Sequence, residues 1–341
     1  MFARFFHNWE RQLAAAATGR MVRPFEWGLD WLPAIERARP GDPGDVIEAW
    51  SRRAAADSDA FYATVPAPHY ALGANGELTF DSALTTPHAV NNVVHARYFE
   101  ARRTTGPRCA VLVLPQWNSD AEGHIGLAKL LARFGMSALR MSLPYHDVRK
   151  PDELTRADYI VSANIGRTVQ VCRQAVLDAR RSIMWLASRG YERIGVLGTS
   201  LGSCLSMLTA AHEPLVSAAA LNHVSPNFAD VVWEGLSTAH VRESLDGQID
   251  LERLRRVWLP ISPSTYLSRM RTKRVLLVYA RYDLTFPLHL SKELIATFTR
   301  DGQRPQVSTL PCGHYSTGVA PFKYMDAWVL IRFLRRSLGV A

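Results

Sequence analysis

The stretch Arg193-Ile194-Gly195-Val196-Leu197-Gly198-Thr199-Ser200-Leu201-Gly202 decides how the chain reads. Residues 194–197 form an apolar run of strand length, and residues 201–211 carry no proline and support a helix. Between them the G-x-S-x-G core, Gly198 to Gly202, fits a turn so sharp that a side chain at either glycine would strike neighbouring backbone. The pentapeptide alone is short enough to arise by chance. The strand before it and the helix after it make Ser200 a candidate nucleophile, held above the end of a sheet.

Outward from this centre, strand-sized apolar runs alternate with helix-compatible segments. Residues 110–114, 137–142, 194–197, 217–221, 275–280 and 306–310 read as strands, and 122–134, 167–188, 201–211, 288–300 and 322–338 as helices. This alternation predicts an α/β fold with a mostly parallel central sheet flanked by helices. Residues 78–80 and 91–102 read as antiparallel strands that begin a mixed sheet. Residues 1–75, rich in tryptophan and alanine and broken by Pro24, Pro33, Pro40 and Pro43, read as a helical extension packed on the main domain, 76–341. Within that domain, residues from about 223 to 267 carry Phe228, Trp233, Trp258 and Tyr266 among charged residues. They read as a small cap-like insertion, with a plain helical cover as the alternative.

With 341 residues, 48% of them hydrophobic, the chain can bury a large core. Its apolar runs fall well short of the roughly 18 residues a membrane span requires, so no transmembrane segment is expected. The net charge of +9 comes from 40 basic and 31 acidic residues, but the arginines are scattered and form no stripe, which argues against a nucleic-acid partner. Phe2, Phe5, Phe6, Trp9 and Leu13 fall near helical spacing, so an amphipathic N-terminal helix is expected to dock on the body, peripheral membrane contact being the alternative. Glu10 and Arg11 interrupt the apolar run that a secretory signal needs, and the cytoplasm is the expected location. Cys109, Cys172, Cys204 and Cys312 are too widely spaced for a zinc pattern or a compact disulfide framework and read as reduced, buried thiols. His88, His95 and His124 are dispersed, and the chain lacks a Gly-rich phosphate loop, so neither a metal nor a cofactor is expected.

A serine hydroxyl is a weak nucleophile near neutrality and needs a base, which in turn needs a carboxylate to fix its tautomer. Asp283 stands just beyond the run 275–280, and His314, next to Gly313, just beyond 306–310. Asp230 and Asp326 are the competing carboxylates.

Serine, acid and histidine in that order, each after its own strand, resembles the alpha/beta-hydrolase superfamily over about residues 90–338. The resemblance implies Ser200 as nucleophile, His314 as base and Asp283 as its orienting acid. It also implies an oxyanion hole made by the backbone N–H of Leu201 and a second N–H from the loop after 110–114. In that loop Pro115-Gln116 stand where the superfamily usually carries His-Gly; proline has no N–H, which leaves Trp117 first and Gln116 next. Residues 144–151 are similar to a Pro-Tyr-x-x-x-Arg-Lys-Pro stretch of alpha/beta-hydrolase domain-containing family 18, and Gly313-His314-Tyr315-Ser316 to its Gly-His-x-Ser turn. Tyr145 and His146 therefore either contact substrate or brace their loop, and Trp117, His223 and Trp233 complete the candidate substrate contacts. The implied activity is cofactor-independent cleavage of a small-molecule carboxylic ester through an acyl-enzyme. Acyl transfer and lipid acyl hydrolysis are the alternatives on the same residues, and a binding protein without catalysis is the reading from another class.

Overall fold

The structure, a computed structural model, describes residues 2–102 and 106–340; Met1, where the N-terminal helix was expected to begin, lies outside them. Nine strands form one sheet: β1 (Tyr70–Leu72), β2 (Glu77–Asp81), β3 (Val93–Phe99), β4 (Cys109–Leu114), β5 (Ser137–Met141), β6 (Arg193–Thr199), β7 (Val216–Asn222), β8 (Arg274–Ala280) and β9 (Gln306–Leu310). Their spatial order is β1-β2-β3-β5-β4-β6-β7-β8-β9. The pairings among β1, β2, β3 and β5 are antiparallel, and those from β5 through β4 to β9 are parallel.

The central strands are apolar at successive positions because both faces of the sheet are covered. Leu112 and Leu114 face one core with Val196 and Leu221, beneath the helices Ile165–Ser188 and Leu201–His212. Val111 and Val113 point the other way, with Leu197 and Val278, beneath Ile125–Arg133 and Phe322–Leu338. This is the two-residue period of a strand read from both sides.

The structure differs from the sequence reading at several ends. The strand expected from residue 91 begins at Val93, because Ala89–Asn92 forms a short 3-10 turn. Helix Ile165–Ser188 starts two residues early, capped by the Asn164 side chain on Arg167 N–H at 2.9 Å. Strand β1, inside the segment read as helical, pairs Tyr70 with Phe80 and Leu72 with Leu78. It is a three-residue, half-exposed edge strand with no alternation to reveal it, although Asn75-Gly76 is a hairpin signal.

The loop containing residues 144–151 is pinned from within. Arg149 is fully buried and donates to the carbonyls of Asn91 (2.8 Å) and Ser142 (3.0 Å) and to the carboxylate of Asp178 (2.9 Å). Helix Pro43–Ala56 lies against Leu251–Val257, where Ser51 donates to the Val257 carbonyl at 2.7 Å. The chain between β7 and β8 carries three short helices, Phe228–Glu234, Ala239–Leu245 and Leu251–Val257. Helix Phe2–Ala15 docks by Phe6, whose ring stacks on Tyr282 at 4.6 Å, while Phe2 and Phe5 stay exposed. Among the described residues no helix is long and apolar enough to cross a membrane, and the four cysteines are buried and unpaired.

Candidate active site

Ser200 follows the last residue of β6 directly and takes φ 56° and ψ −121°, a strained backbone for a residue with a side chain. The surroundings fix it: Ser200 N–H donates to the Asn222 carbonyl at 2.8 Å, and the Ser203 hydroxyl reaches the carbonyls of Gly198 and Asn222, both at 2.6 Å. A Cβ on Gly198 would collide with the Gly202 carbonyl, and one on Gly202 with the carbonyls of Leu114 and Pro115. Close approach of backbone therefore requires both glycines.

Asp283 and His314 meet because β8 and β9 are adjacent and parallel, with Ala280 opposite Leu310, so both loops leave the same sheet edge. His314 Nδ1 lies 3.1 Å from Asp283 Oδ2; a carboxylate only accepts, so Nδ1 carries the proton and Nε2 is left as the free base nitrogen. The other oxygen, Oδ1, accepts from Thr285 and Phe286 N–H, both at 2.7 Å. Burial alone would raise the Asp283 pKa, but the His314 charge, with its hydrogen bond and the neighbouring His223, holds it below the ordinary carboxylate value. Burial works against a charged His314, yet Asp283 beside it and Glu10 behind it raise its pKa.

Ser200, His314 and His223 all line one cleft of about 610 Å³, with Gln116, Trp117 and Asn222. A second void of about 40 Å³ adjoins it at Ser200 and is walled by Leu201, Cys204, Phe228, Val232 and Phe286. Among the described residues, the backbone N–H groups of Gln116, Trp117 and Leu201, which border these two voids, have no hydrogen-bond partner. Trp117 itself is rigid: its indole N–H donates to the Ala157 carbonyl at 2.8 Å and its ring stacks on His240.

Of the other candidate substrate contacts, Tyr145, His146 and Trp233 line neither void. Tyr145 is fully buried, with its hydroxyl 3.0 Å from His88. His146 accepts from Asn118 N–H at 3.0 Å and donates from Nδ1 to the Pro144 carbonyl at 2.9 Å, and burial pushes its pKa down to about 4. Both residues brace their loop. Trp233 is covered by the Arg242 guanidinium, 3.2 Å from the ring centroid. Of the competing carboxylates, Asp230 is buried against Arg255 (2.6 Å), whereas Asp326 lines the cleft and accepts from Asn222 Nδ2 at 2.8 Å.

No family model matches the chain. No curated protein matches it either. Solved structures do. An acetyl xylan esterase from Paenibacillus sp. is 16% identical with a TM-score of 0.61, over 96% of this chain and 99% of that one. Acetyl xylan esterase 1 from Thermoanaerobacterium sp. is 14% identical with a TM-score of 0.59, over 95% and 98%. The acylaminoacyl peptidase of Pyrococcus horikoshii is 13% identical with a TM-score of 0.62 over 81% of this chain, which spans only 43% of that protein. The chain has the alpha/beta-hydrolase fold.

On this alpha/beta-hydrolase scaffold the sequence reading missed Glu10 beside the His314 loop and missed the place of His223 against Asp283. Glu10, fully buried, accepts from Tyr315 N–H (2.8 Å) and Ser316 N–H (2.9 Å), so the docked N-terminal helix clamps the loop that carries His314. A Cβ on Gly313 would run into the Glu10 side chain. His223, expected as a substrate contact, also sits against Asp283: its Nδ1 lies 2.9 Å from Oδ2 but off the line of an N–H bond, and burial lowers its pKa, leaving it neutral. The sequence did carry a signal for it, a titratable residue just past a parallel strand, as Asp283 and His314 are. His223, Asp283 and His314 are the one His and carboxylate group among the described residues close enough to hold a cation, with ligand atoms within 4.8 Å of one another. Both imidazoles converge on the one Asp283 carboxylate, His314 through a hydrogen bond and His223 by proximity.

Proposed function

We propose that the protein is a serine hydrolase that cleaves carboxylic esters with short acyl groups. The observation that carries this reading is the opening of the strained Ser200 turn and the Asp283-bonded His314 ring onto the same cleft. Ser200 Oγ attacks the ester carbonyl as His314 Nε2 takes its proton, and Asp283 stabilises the imidazolium that results. The N–H groups of Leu201 and Trp117 hold the oxyanion, with Gln116 beside them. The alcohol leaves with the proton from His314, and water activated by the same nitrogen releases the acid.

The 40 Å³ recess beside Ser200 suits the acyl group, and its aliphatic and aromatic walls suit a methyl or ethyl. Since a single water needs about 10–15 Å³ of such volume, the recess holds only a few heavy atoms. The larger cleft is left for the alcohol. Structural likeness to proteins named esterases is consistent with this chemistry and carries no weight for the particular ester.

The test is hydrolysis of p-nitrophenyl esters of increasing chain length by wild type and Ser200→Ala. Acetate should be cleaved well and long chains poorly, and Ser200→Ala should lose on the order of 10⁶-fold of kcat. Equal activity in the variant would remove Ser200 from the mechanism.

A further inference from the structure

The alcohol side of the cleft is positively charged beyond what its own acids balance. Arg20, Arg156 and Lys323 line it, and among the described residues Asp326 is the only carboxylate that does. Burial raises Asp326 to about 7, so near neutrality it cancels only part of one charge. Arg23 and Arg156 share the single buried carboxylate of Asp158, at 3.3 and 3.6 Å. Among the described residues Arg20 has no carboxylate partner; its guanidinium donates to the Tyr315 hydroxyl at 3.1 Å. The Nε atoms of Arg20 and Arg156 are both buried without a hydrogen bond, that of Arg156 having only the 3.6 Å ion-pair contact with Asp158. Glu10, the other acid near Tyr315, is engaged by two backbone N–H groups. His240, stacked on Trp117, adds no charge, because burial and then the Arg156 charge push it down to about 4.

Like charges gathered in a half-buried wall cost free energy unless something compensates them. The wall runs along Tyr315, next to His314, and along Trp117, whose ring centroid lies 5.2 Å from the Arg156 guanidinium carbon. It therefore lines the same cleft as Ser200 and His314. We propose that Arg20 and Arg156 form a subsite for a negatively charged group on the alcohol part of the ester, a carboxylate or a phosphate. A guanidinium fork matches the geometry of either anion. This inference rests on the hydrolase reading above and narrows its substrate class to anionic esters.

The experiment compares kcat/KM for 4-acetoxybenzoate and for phenyl acetate, in wild type, Arg20→Gln and Arg20→Lys. The anionic-to-neutral ratio should fall about tenfold or more in Arg20→Gln and recover in part in Arg20→Lys, and added salt should narrow it in wild type. Running 4-acetoxyphenyl phosphate alongside tells which anion the subsite prefers. If wild type cleaves phenyl acetate but the ratio is the same in all three proteins, the subsite is refuted and the hydrolase reading stands. If wild type cleaves neither ester, the hydrolase reading falls. Calorimetric binding of 4-hydroxybenzoate, which needs no turnover, then decides the subsite: weaker binding to Arg20→Gln supports it, and equal or absent binding overturns it.

Discussion

Replacing Glu10 tests whether a helix near the start of the chain positions a group near its end. The carboxylate accepts two backbone N–H bonds, at 2.8 and 2.9 Å, in a place with no exposure to water. Hydrogen bonds to a charged group contribute about 1.5–3 kcal/mol each, so Glu10→Ala, which strands both donors, should destabilise the docked helix and the His314 loop by roughly 3–6 kcal/mol. Glu10→Gln keeps the shape and one acceptor and should cost about half as much. Displacing His314 by even about 1 Å would lower kcat on the order of a hundredfold. The sharper readout is pH. His314 acts as a base only when neutral, and its pKa is raised by Asp283 and Glu10. Removing the Glu10 charge must therefore move the acid limb of kcat/KM to lower pH, because less acid is needed to keep the ring neutral. The assay is the pH profile of p-nitrophenyl acetate hydrolysis by wild type and Glu10→Gln, with thermal melts of both. A Glu10→Gln protein with the wild-type limb and the wild-type Tm would refute the reasoning; a lowered Tm with an unmoved limb would leave Glu10 a merely structural role.

Other outcomes follow from the same contacts. Asp283→Asn should lower kcat by about 10⁴-fold by favouring the wrong His314 tautomer, which steady-state kinetics on the same ester will read. Because the folded pKa of Asp283 is lowered below its ordinary 3.8, its charge adds stability above that pH and loses it as the pH falls toward the folded value. The Asn variant should therefore unfold with a shallower dependence on acid, measured by denaturant melts across the acid range. Arg149→Met leaves the Asp178 carboxylate buried without its charged partner and should cost about 3–5 kcal/mol in urea unfolding, only part of it recovered when Asp178→Leu is added, because the carbonyls of Asn91 and Ser142 still lack the guanidinium donors.

The parallel core was legible because β4, β6, β7 and β8 are short apolar runs separated by helix-length segments, and that pattern needs no tertiary knowledge. The meeting of Asp283 with His314 followed from the same pattern, since residues just past parallel strands collect at one sheet edge. Glu10 was not legible, because nothing near residue 10 mentions residues 315 and 316; in sequence it only interrupts an apolar run. The family-like stretch at 144–151 was visible, but its direction was not. Arg149 draws the loop inward, and so Tyr145 and His146 end as internal braces. Strand β1 was hidden by brevity, and the cover over Trp233 by its dependence on Arg242 from another helix.

The clamp of Glu10 on Tyr315 and Ser316 joins residues 305 and 306 positions apart. A chain made from its N-terminus exposes helix Phe2–Ala15 long before its docking surface exists, and the helix must wait while β1 to β9 assemble. Its apolar stripe, with Phe6 and Trp9, is then open to any chaperone that reads exposed aromatic surface. Contacts of such range also slow folding, since the whole intervening chain must be ordered before they can form. The clamp on His314 is thus among the last features to form, and chemistry at Ser200 would report that both ends of the described chain have found each other.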